Sequence, residues 1–330
     1  MGRSARRSGL NRSGPSQRPV VTVAGPTASG KSALALDLAR ALGGWVINAD
    51  SMQVYRELRI LTARPSPEEE ALAPHRLYGV LPAAEACSAA RWREMALAEI
   101  AQAHAAARLP VLCGGTGLYL RALIEGLSPI PDVPAAIRDR TRRRMAEIGS
   151  QAFHAELAAR DPAMGGRLHP GDTQRLIRAA EVLAATGRSL ADWQDEPGQG
   201  GAAEGLAFYT IALLPPRAAL RERIQTRFAA MLEAGALEEV RALAALGLPR
   251  DIPAMKAHGV PELMRHLKGE IPLEEAARRA VLVTGQYAKR QFTWLRHQIA
   301  KDYVVEQQYS RSLAPEIVNK IRPFLLTLHE

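Results

Sequence analysis

Cysteine is nearly absent. Cys87 and Cys113 are the only two in 330 residues, and neither stands at a metal-ligand spacing. A disulfide-stapled or thiolate-metal framework is thereby excluded, and both thiols are expected to be reduced, as in the cytosol. No uncharged apolar run reaches the roughly 18 residues that a membrane span requires, and no apolar segment stands near the N-terminus. A cytoplasmic protein without a membrane partner is expected. Acidic residues are missing from residues 1–18, where Arg3, Arg6, Arg7, Arg12 and Arg18 supply five of the nine net positive charges. That Ser/Arg/Gly stretch reads as a disordered basic tail. The rest of the chain is close to neutral, so contact with nucleic acid must come from local patches. There is no internal repeat and no heptad array.

What is present is ordinary for a globular protein, with 47% hydrophobic and 23% charged residues, and long enough for roughly two domains. One stretch stands out. Gly25-Pro26-Thr27-Ala28-Ser29-Gly30-Lys31-Ser32 fits the phosphate-binding loop pattern G-x-x-x-x-G-K-[ST] without a mismatch. Val20, Val21 and Val23 precede it as a β-branched run, and Leu34, Leu38 and Leu42 follow at i, i+4 and i+8, so the loop joins a buried strand to an amphipathic helix. Such a loop turns backbone N–H groups and a helix N-terminus toward one anion. Lys31 then reaches the terminal phosphate and the Ser32 hydroxyl a Mg²⁺ ion.

Further on, Trp45-Val46-Ile47 reads as a second strand that delivers Asp50 just past its carboxyl end, the sheet edge where ligands bind in open parallel sheets. Residues 55–84, with Arg56, Arg59 and Arg64 among prolines, read as a surface loop, and a helix follows over 89–108. Residues 109–113 form a third strand, and Gly114-Gly115-Thr116-Gly117 turns tightly into a helix at the same edge. Thr116 there can face a ligand, cap the helix, or both. From Ser128 the α/β alternation stops. A helical insertion over 128–204 carries Arg138 within an arginine cluster and, on a helix opened by Asp172, Arg175 and Arg178 sharing one face. A strand over 207–214 returns to the α/β unit, followed by a helix over 217–234 bearing Arg221, Arg223 and Arg227, and by a helix over 284–297.

The fold class expected is therefore α/β, a phosphate-loop parallel sheet flanked by helices over 19–127 and 205–330, with an all-helical insertion. Three activities compete: an ATP-dependent small-molecule kinase, a mechanical or regulatory NTPase, and a transferase whose diphosphate is a leaving group. The second is weakened by the lack of a hydrophobic run ending in Asp-Glu and of an Asn-Lys-x-Asp guanine motif.

Beyond the loop, Asp50-Ser-Met-Gln-Val-Tyr55, Pro74-His-Arg-Leu77, Gly114-Gly-Thr-Gly-Leu-Tyr119, His169-Pro170 with Asp172 to Arg178, Arg223-Ile-Gln-Thr-Arg-Phe228 and Lys289-Arg-Gln-Phe-Thr-Trp-Leu-Arg296 occur in that order. Together the chain resembles the tRNA dimethylallyltransferase family. The resemblance implies transfer of a dimethylallyl group from dimethylallyl diphosphate to N6 of adenosine 37, beside the anticodon. It implies a diphosphate cradle of Gly25, Thr27, Ala28, Ser29, Gly30, Lys31 and Ser32, the last also holding Mg²⁺. Asp50 would be the general base, Arg227 would stabilise the departing pyrophosphate, and Thr116 would touch substrate near the reacting centre. Asp50, Ser51, Met52, Gln53, Thr116, Arg138, Gln174, Arg175, Leu176, Ile177, Arg178, Lys256, His258, Lys289, Arg290 and Arg296 would meet the tRNA, with the insertion gripping the anticodon stem-loop of a monomeric enzyme. The chain departs from the family pattern between Tyr55 and Pro65. Relatives usually carry glycines where Glu57 and Leu61 stand, an acid at Arg59 and lysine at Arg64. The resemblance implies no conformation for that loop.

Overall fold

The computed structural model describes residues 17–196 and 205–328. Residues 1–16 of the basic tail and the Pro197–Gly201 loop lie outside the described residues. Arg18, read as the last tail residue, instead opens a strand, its N–H donating to the Gly205 carbonyl at 2.8 Å. The chain divides into two compact units, residues 1–124 with 202–330, and residues 125–201.

In the first unit the elements run β1 (Arg18–Ala24), α1 (Lys31–Leu42), β2 (Gly44–Asn48), α2 (Pro67–Leu72), β3 (His75–Arg76), α3 (Ala89–Ala105), β4 (Leu109–Gly114) and α4 (Gly117–Ile124). In the second unit four helices follow, α5 (Ala135–Arg160), α6 (Pro162–Arg167), α7 (Thr173–Thr186) and α8 (Leu190–Asp195). The chain then re-enters the first unit through β5 (Leu206–Leu213), α9 (Arg217–Glu233), α10 (Ala236–Ala245), α11 (Val260–Leu267), α12 (Leu273–Gln298), β6 (Tyr303–Val305) and α13 (Ala314–Leu326).

The six strands form one parallel sheet in the order β3-β2-β4-β1-β5-β6. A parallel sheet must be covered on both faces, and the β1 side chains show how. Val20 and Ala24 point into the core shared with Trp92, Leu112 and Leu120, whereas Val21 and Val23 point into the core under α1 and α13, with Leu34, Leu38 and Ile321. This period-two alternation between two apolar layers keeps β1 central. It also puts the carboxyl ends of β1, β2 and β4 side by side, with Ala24 opposite Gly114 and Asn48 opposite Cys113.

Residues 55–84, expected as a surface loop, are packed instead. Tyr55, Leu58, Leu77 and Leu81 are buried in the main core. Ser66 caps α2 in a reciprocal capping box with Glu69, and Tyr55 bridges to Leu81. In the second unit, Met145, Phe153, Leu157, Leu176 and Val182 make a separate small core. There α5 is broken at Gly149, whose φ of 74° only glycine adopts readily. Asp161 is buried, where it accepts the Met164 N–H and the Ser189 hydroxyl.

Candidate active site

The loop between β1 and α1 is built by residues far away in sequence. Gly30 opens α1 at φ 93°, and Ala28 holds φ 66°, so successive peptide units turn their N–H groups toward one point. Gln291 on α12 accepts the Thr27 N–H at 2.9 Å and donates to the Gly115 carbonyl at 2.9 Å, tying the loop to the glycine turn after β4. From the C-terminal side, Gln308 donates to the carbonyls of Ala28 and Ser29 at 3.3 and 2.8 Å. Beside it, the Tyr309 hydroxyl donates to Asp37 on α1 at 2.8 Å. A Cβ at Gly30 would stand 2.9 Å from the Tyr309 Cβ, so only glycine fits.

At the end of β2 an asparagine sets the carboxylate. Asn48, wholly buried, donates through Nδ2 to the carbonyls of Asp50 and Leu77 and accepts the Asp50 N–H at 2.8 Å. Its own carbonyl takes the indole N–H of Trp92 at 2.9 Å. Asp50 Oδ1 accepts the Met52 N–H at 2.9 Å. One oxygen of Asp50 thus closes the turn into Met52, while Oδ2 carries no hydrogen bond among the described residues. Thr116 does not use its hydroxyl to cap α4. It accepts the Ser51 N–H at 2.9 Å and donates to the Ser51 hydroxyl at 3.3 Å, while its carbonyl receives the Tyr119 N–H. Behind it, a Cβ at Gly114 would fall 2.1 Å from the Ala49 carbonyl oxygen, so the two strand ends meet backbone to backbone.

These parts face one cavity of about 190 Å³. Thr27, Asp50, Ser51, Arg227, Lys256 and His258 give it a polar wall, and Met52, Leu61, Ile224, Phe228 and Met231 an apolar one. The Arg227 guanidinium donates to the Thr27 hydroxyl. Burial pushes the Lys31 ammonium below its ordinary pKa, opposed by the Asp50 carboxylate, and burial does the same to Arg227, again opposed by Asp50. Two buried cations are thus within electrostatic reach of one carboxylate, and an anion entering the loop would offset the cost of their burial. Burial and Arg290 keep His258 neutral-leaning, against Asp50, and its ring packs on Tyr287 at 4.6 Å. The arrangement suits a ligand with an anionic head and an apolar body, next to a carboxylate that can take a proton.

A family model described as IPP transferase matches residues 53–298, about three quarters of the chain. The chain belongs to the IPP transferase family. Among the relatives of this chain are a tRNA dimethylallyltransferase of Rhodospirillum centenum, 60% identical with 87% of this chain and 91% of the relative covered, and one of Paramagnetospirillum magneticum, 55% identical with 94% and 98% covered. It also resembles the crystal structure of the full-length tRNA isopentenylpyrophosphate transferase from Bacillus halodurans, at 32% identity and a TM-score of 0.68, with 94% of this chain and 98% of that one covered. A eukaryotic dimethylallyltransferase acting on tRNA superposes with a TM-score of 0.77, over 94% of this chain and 80% of that one; at 24% identity this speaks to the fold alone.

The structure brings the cradle Gly25 to Ser32, Asp50, Ser51, Met52, Thr116, Arg227, Lys256 and His258 into one region of the first unit. Of the arginines on α9, Arg227 faces the loop, whereas Arg217 lies over the Phe292 ring. Gln53 is buried, and its amide donates to the Thr62 and Ala63 carbonyls. Lys289, Arg290 and Arg296 are exposed on α12. In the second unit, Arg138, Gln174, Arg175 and Arg178 are exposed. Leu176 is corrected: its side chain is wholly buried in that unit's core and cannot touch RNA, and Ile177 packs partly against the same core. Gln291, Asn48, Gln308 and Trp92 were not singled out from the sequence. The first sits inside the quoted Lys289–Arg296 motif, but nothing local marks a residue whose partner is 264 positions away.

Proposed function

We propose that this chain transfers a dimethylallyl group from dimethylallyl diphosphate to N6 of adenosine 37 in tRNA, releasing pyrophosphate. The observation that carries the reading is the single cavity in which a phosphate loop, an apolar wall and the Asp50 carboxylate meet. An apolar wall beside both the loop and a carboxylate suits a hydrocarbon donor. The names of the relatives support tRNA as the acceptor. The exposed Arg138, Arg175 and Arg178 of the helical unit and Lys289, Arg290 and Arg296 of α12 supply cations for its phosphates.

An exocyclic adenine amine is a weak nucleophile because its lone pair is delocalised into the ring. Asp50 Oδ2 takes the amine proton as the C–N bond forms, while Oδ1 stays on the Met52 N–H and keeps the carboxylate aimed. The bond from C1 of the prenyl group to the diphosphate oxygen breaks in the same displacement. The negative charge that grows on the departing pyrophosphate oxygens is met by the loop N–H groups, Lys31 and Arg227; Gln291 and Gln308 hold the loop in place beforehand, and Arg227 is docked on Thr27. Thr116 holds Ser51, and through it the Asp50 turn, at the reacting end. Mg²⁺ is the proposed cofactor. Ser32, in the first turn of α1 with its hydroxyl beside the Cys113 thiol, offers one hard oxygen. Diphosphate oxygens and water would complete the shell, as suits Mg²⁺. When bound, the ion supplies neutralising charge to the leaving group. The target adenine must leave its stack to reach the cavity.

The test is incubation of the purified chain with labelled dimethylallyl diphosphate and, in parallel, tRNA, AMP or ATP. Label is expected on a tRNA adenosine. Transfer to AMP or ATP in preference to tRNA, or phosphoryl transfer from ATP without prenyl transfer, overturns the reading.

A further inference from the structure

We propose that Leu61 is the stop that limits the length of the donor's hydrocarbon chain, an inference that rests on the function proposed above. Two residues of the cavity's apolar wall, Leu61 and Phe228, meet over the backbone of Gly259, which comes from a distant part of the chain. A Cβ built at Gly259 would lie 3.0 Å from Leu61 Cδ2 and 3.2 Å from Phe228 Cε2, so these two side chains close on the Gly259 backbone without a gap. Gly259 has φ 96°, which excludes a comfortable side chain there and leaves Leu61 and Phe228 to form the floor. The cavity above it, about 190 Å³, is below the roughly 300–1,000 Å³ of pockets that hold drug-sized ligands.

A stop must also be rigid, and the segment carrying Leu61 is held at every step. One carboxylate, Glu239 on α10, accepts the N–H groups of Arg59 and Ile60 at 2.7 Å each and of Leu61 at 3.0 Å. The Thr62 hydroxyl donates to the Leu58 carbonyl at 2.6 Å, and Gln53 donates to the Thr62 and Ala63 carbonyls. Arg64 donates to the carbonyls of Tyr55 and Arg56. Leu61 itself is 9% exposed. With its backbone fixed on Glu239, the isobutyl group cannot swing aside for a longer chain, which would have to displace well-packed atoms.

The experiment measures kcat/KM for dimethylallyl diphosphate and for geranyl diphosphate, with tRNA as acceptor, in the unaltered chain, Leu61→Ala and Leu61→Phe. The unaltered chain is expected to discriminate strongly against the ten-carbon donor. Leu61→Ala is expected to raise geranyl transfer relative to dimethylallyl transfer by about tenfold or more, the scale on which a hydrophobic pocket discriminates. Leu61→Phe is expected to raise KM for the five-carbon donor while tRNA binding stays unchanged, and it keeps the idea testable if the alanine variant does not fold. A folded Leu61→Ala protein with lower Tm and an unmoved donor ratio overturns the proposal and makes Leu61 a core residue only. Absence of any five-carbon transfer by the unaltered chain overturns the functional reading beneath it as well.

Discussion

Asp50 carries two duties on two oxygens, and they can be separated. Asp50→Asn keeps an acceptor for the Met52 N–H but cannot take a proton, so turnover is expected to fall by about two to four orders of magnitude, with donor and tRNA affinity changing far less. Single-turnover kinetics beside equilibrium binding check this. Near-normal turnover in a thermally weakened protein would return Asp50 to its turn. Thr116→Val, by contrast, strips the acceptor from the Ser51 N–H, and a stability loss of about 1 kcal/mol in chemical denaturation is expected alongside slower turnover. At this scale the phosphate loop and Asp50, which reach one cavity, were legible, because a phosphate loop and a strand-end carboxylate have local patterns. The residues that aim them were not. Asn48 has no motif, only a buried position from which its amide reaches Leu77, 29 residues on.

Elements that read clearly were those with a period. The helix over 217–234 is α9 (Arg217–Glu233) almost to the residue, and α7 starts at Asp172 and stops at Gly187 as its boundary residues indicate. The segment over 55–84 failed because its order comes from single side chains rather than periodicity. Neither Glu57 nor Leu61 has a positive φ, so the glycines usual in relatives are not needed for the backbone here; the left-handed residues of the segment are Ala63, at φ 52°, Leu77 and Gly79. Glu57 instead uses its carboxylate to accept the Ala83 N–H at 2.8 Å. Glu239→Gln should therefore cost more than a surface substitution, about 1–3 kcal/mol by urea denaturation, since it weakens three charge-assisted hydrogen bonds at once. Its partner in logic is Gln291→Leu. That change leaves the Thr27 N–H and the Gly115 carbonyl unpaired, and donor KM is expected to rise while tRNA affinity, measured separately, holds. An unchanged donor KM would detach α12 from the loop's alignment.

For the molecule as a whole, acid stability is set by histidines before carboxylates. His104, which donates to the Pro19 carbonyl, and His258 both have folded pKa values pushed down by burial. The unfolded chain takes these protons near pH 6.5 and the folded one only lower, so stability falls as pH drops from about 6.5 toward the depressed values. His104→Gln should flatten the fall in Tm between pH 7 and 5. A second loss lies lower, where Glu275, held at about 2 by Arg278 and Arg279, stays ionised in the folded state until well below the ordinary carboxylate range. The α/β sheet was legible from the phosphate loop and its β-branched strands. The order β3-β2-β4-β1-β5-β6 was not, because β1 in the middle pairs on one side with a strand that begins 188 residues later, at Leu206. The same topology has a bearing on biosynthesis. The phosphate loop is made well before its partners, since the acceptor for Thr27 arrives with Gln291 and the carbonyl clamp with Gln308. A chain still on the ribosome holds a loop without its alignment, which is completed only as β6 and the turn after it emerge.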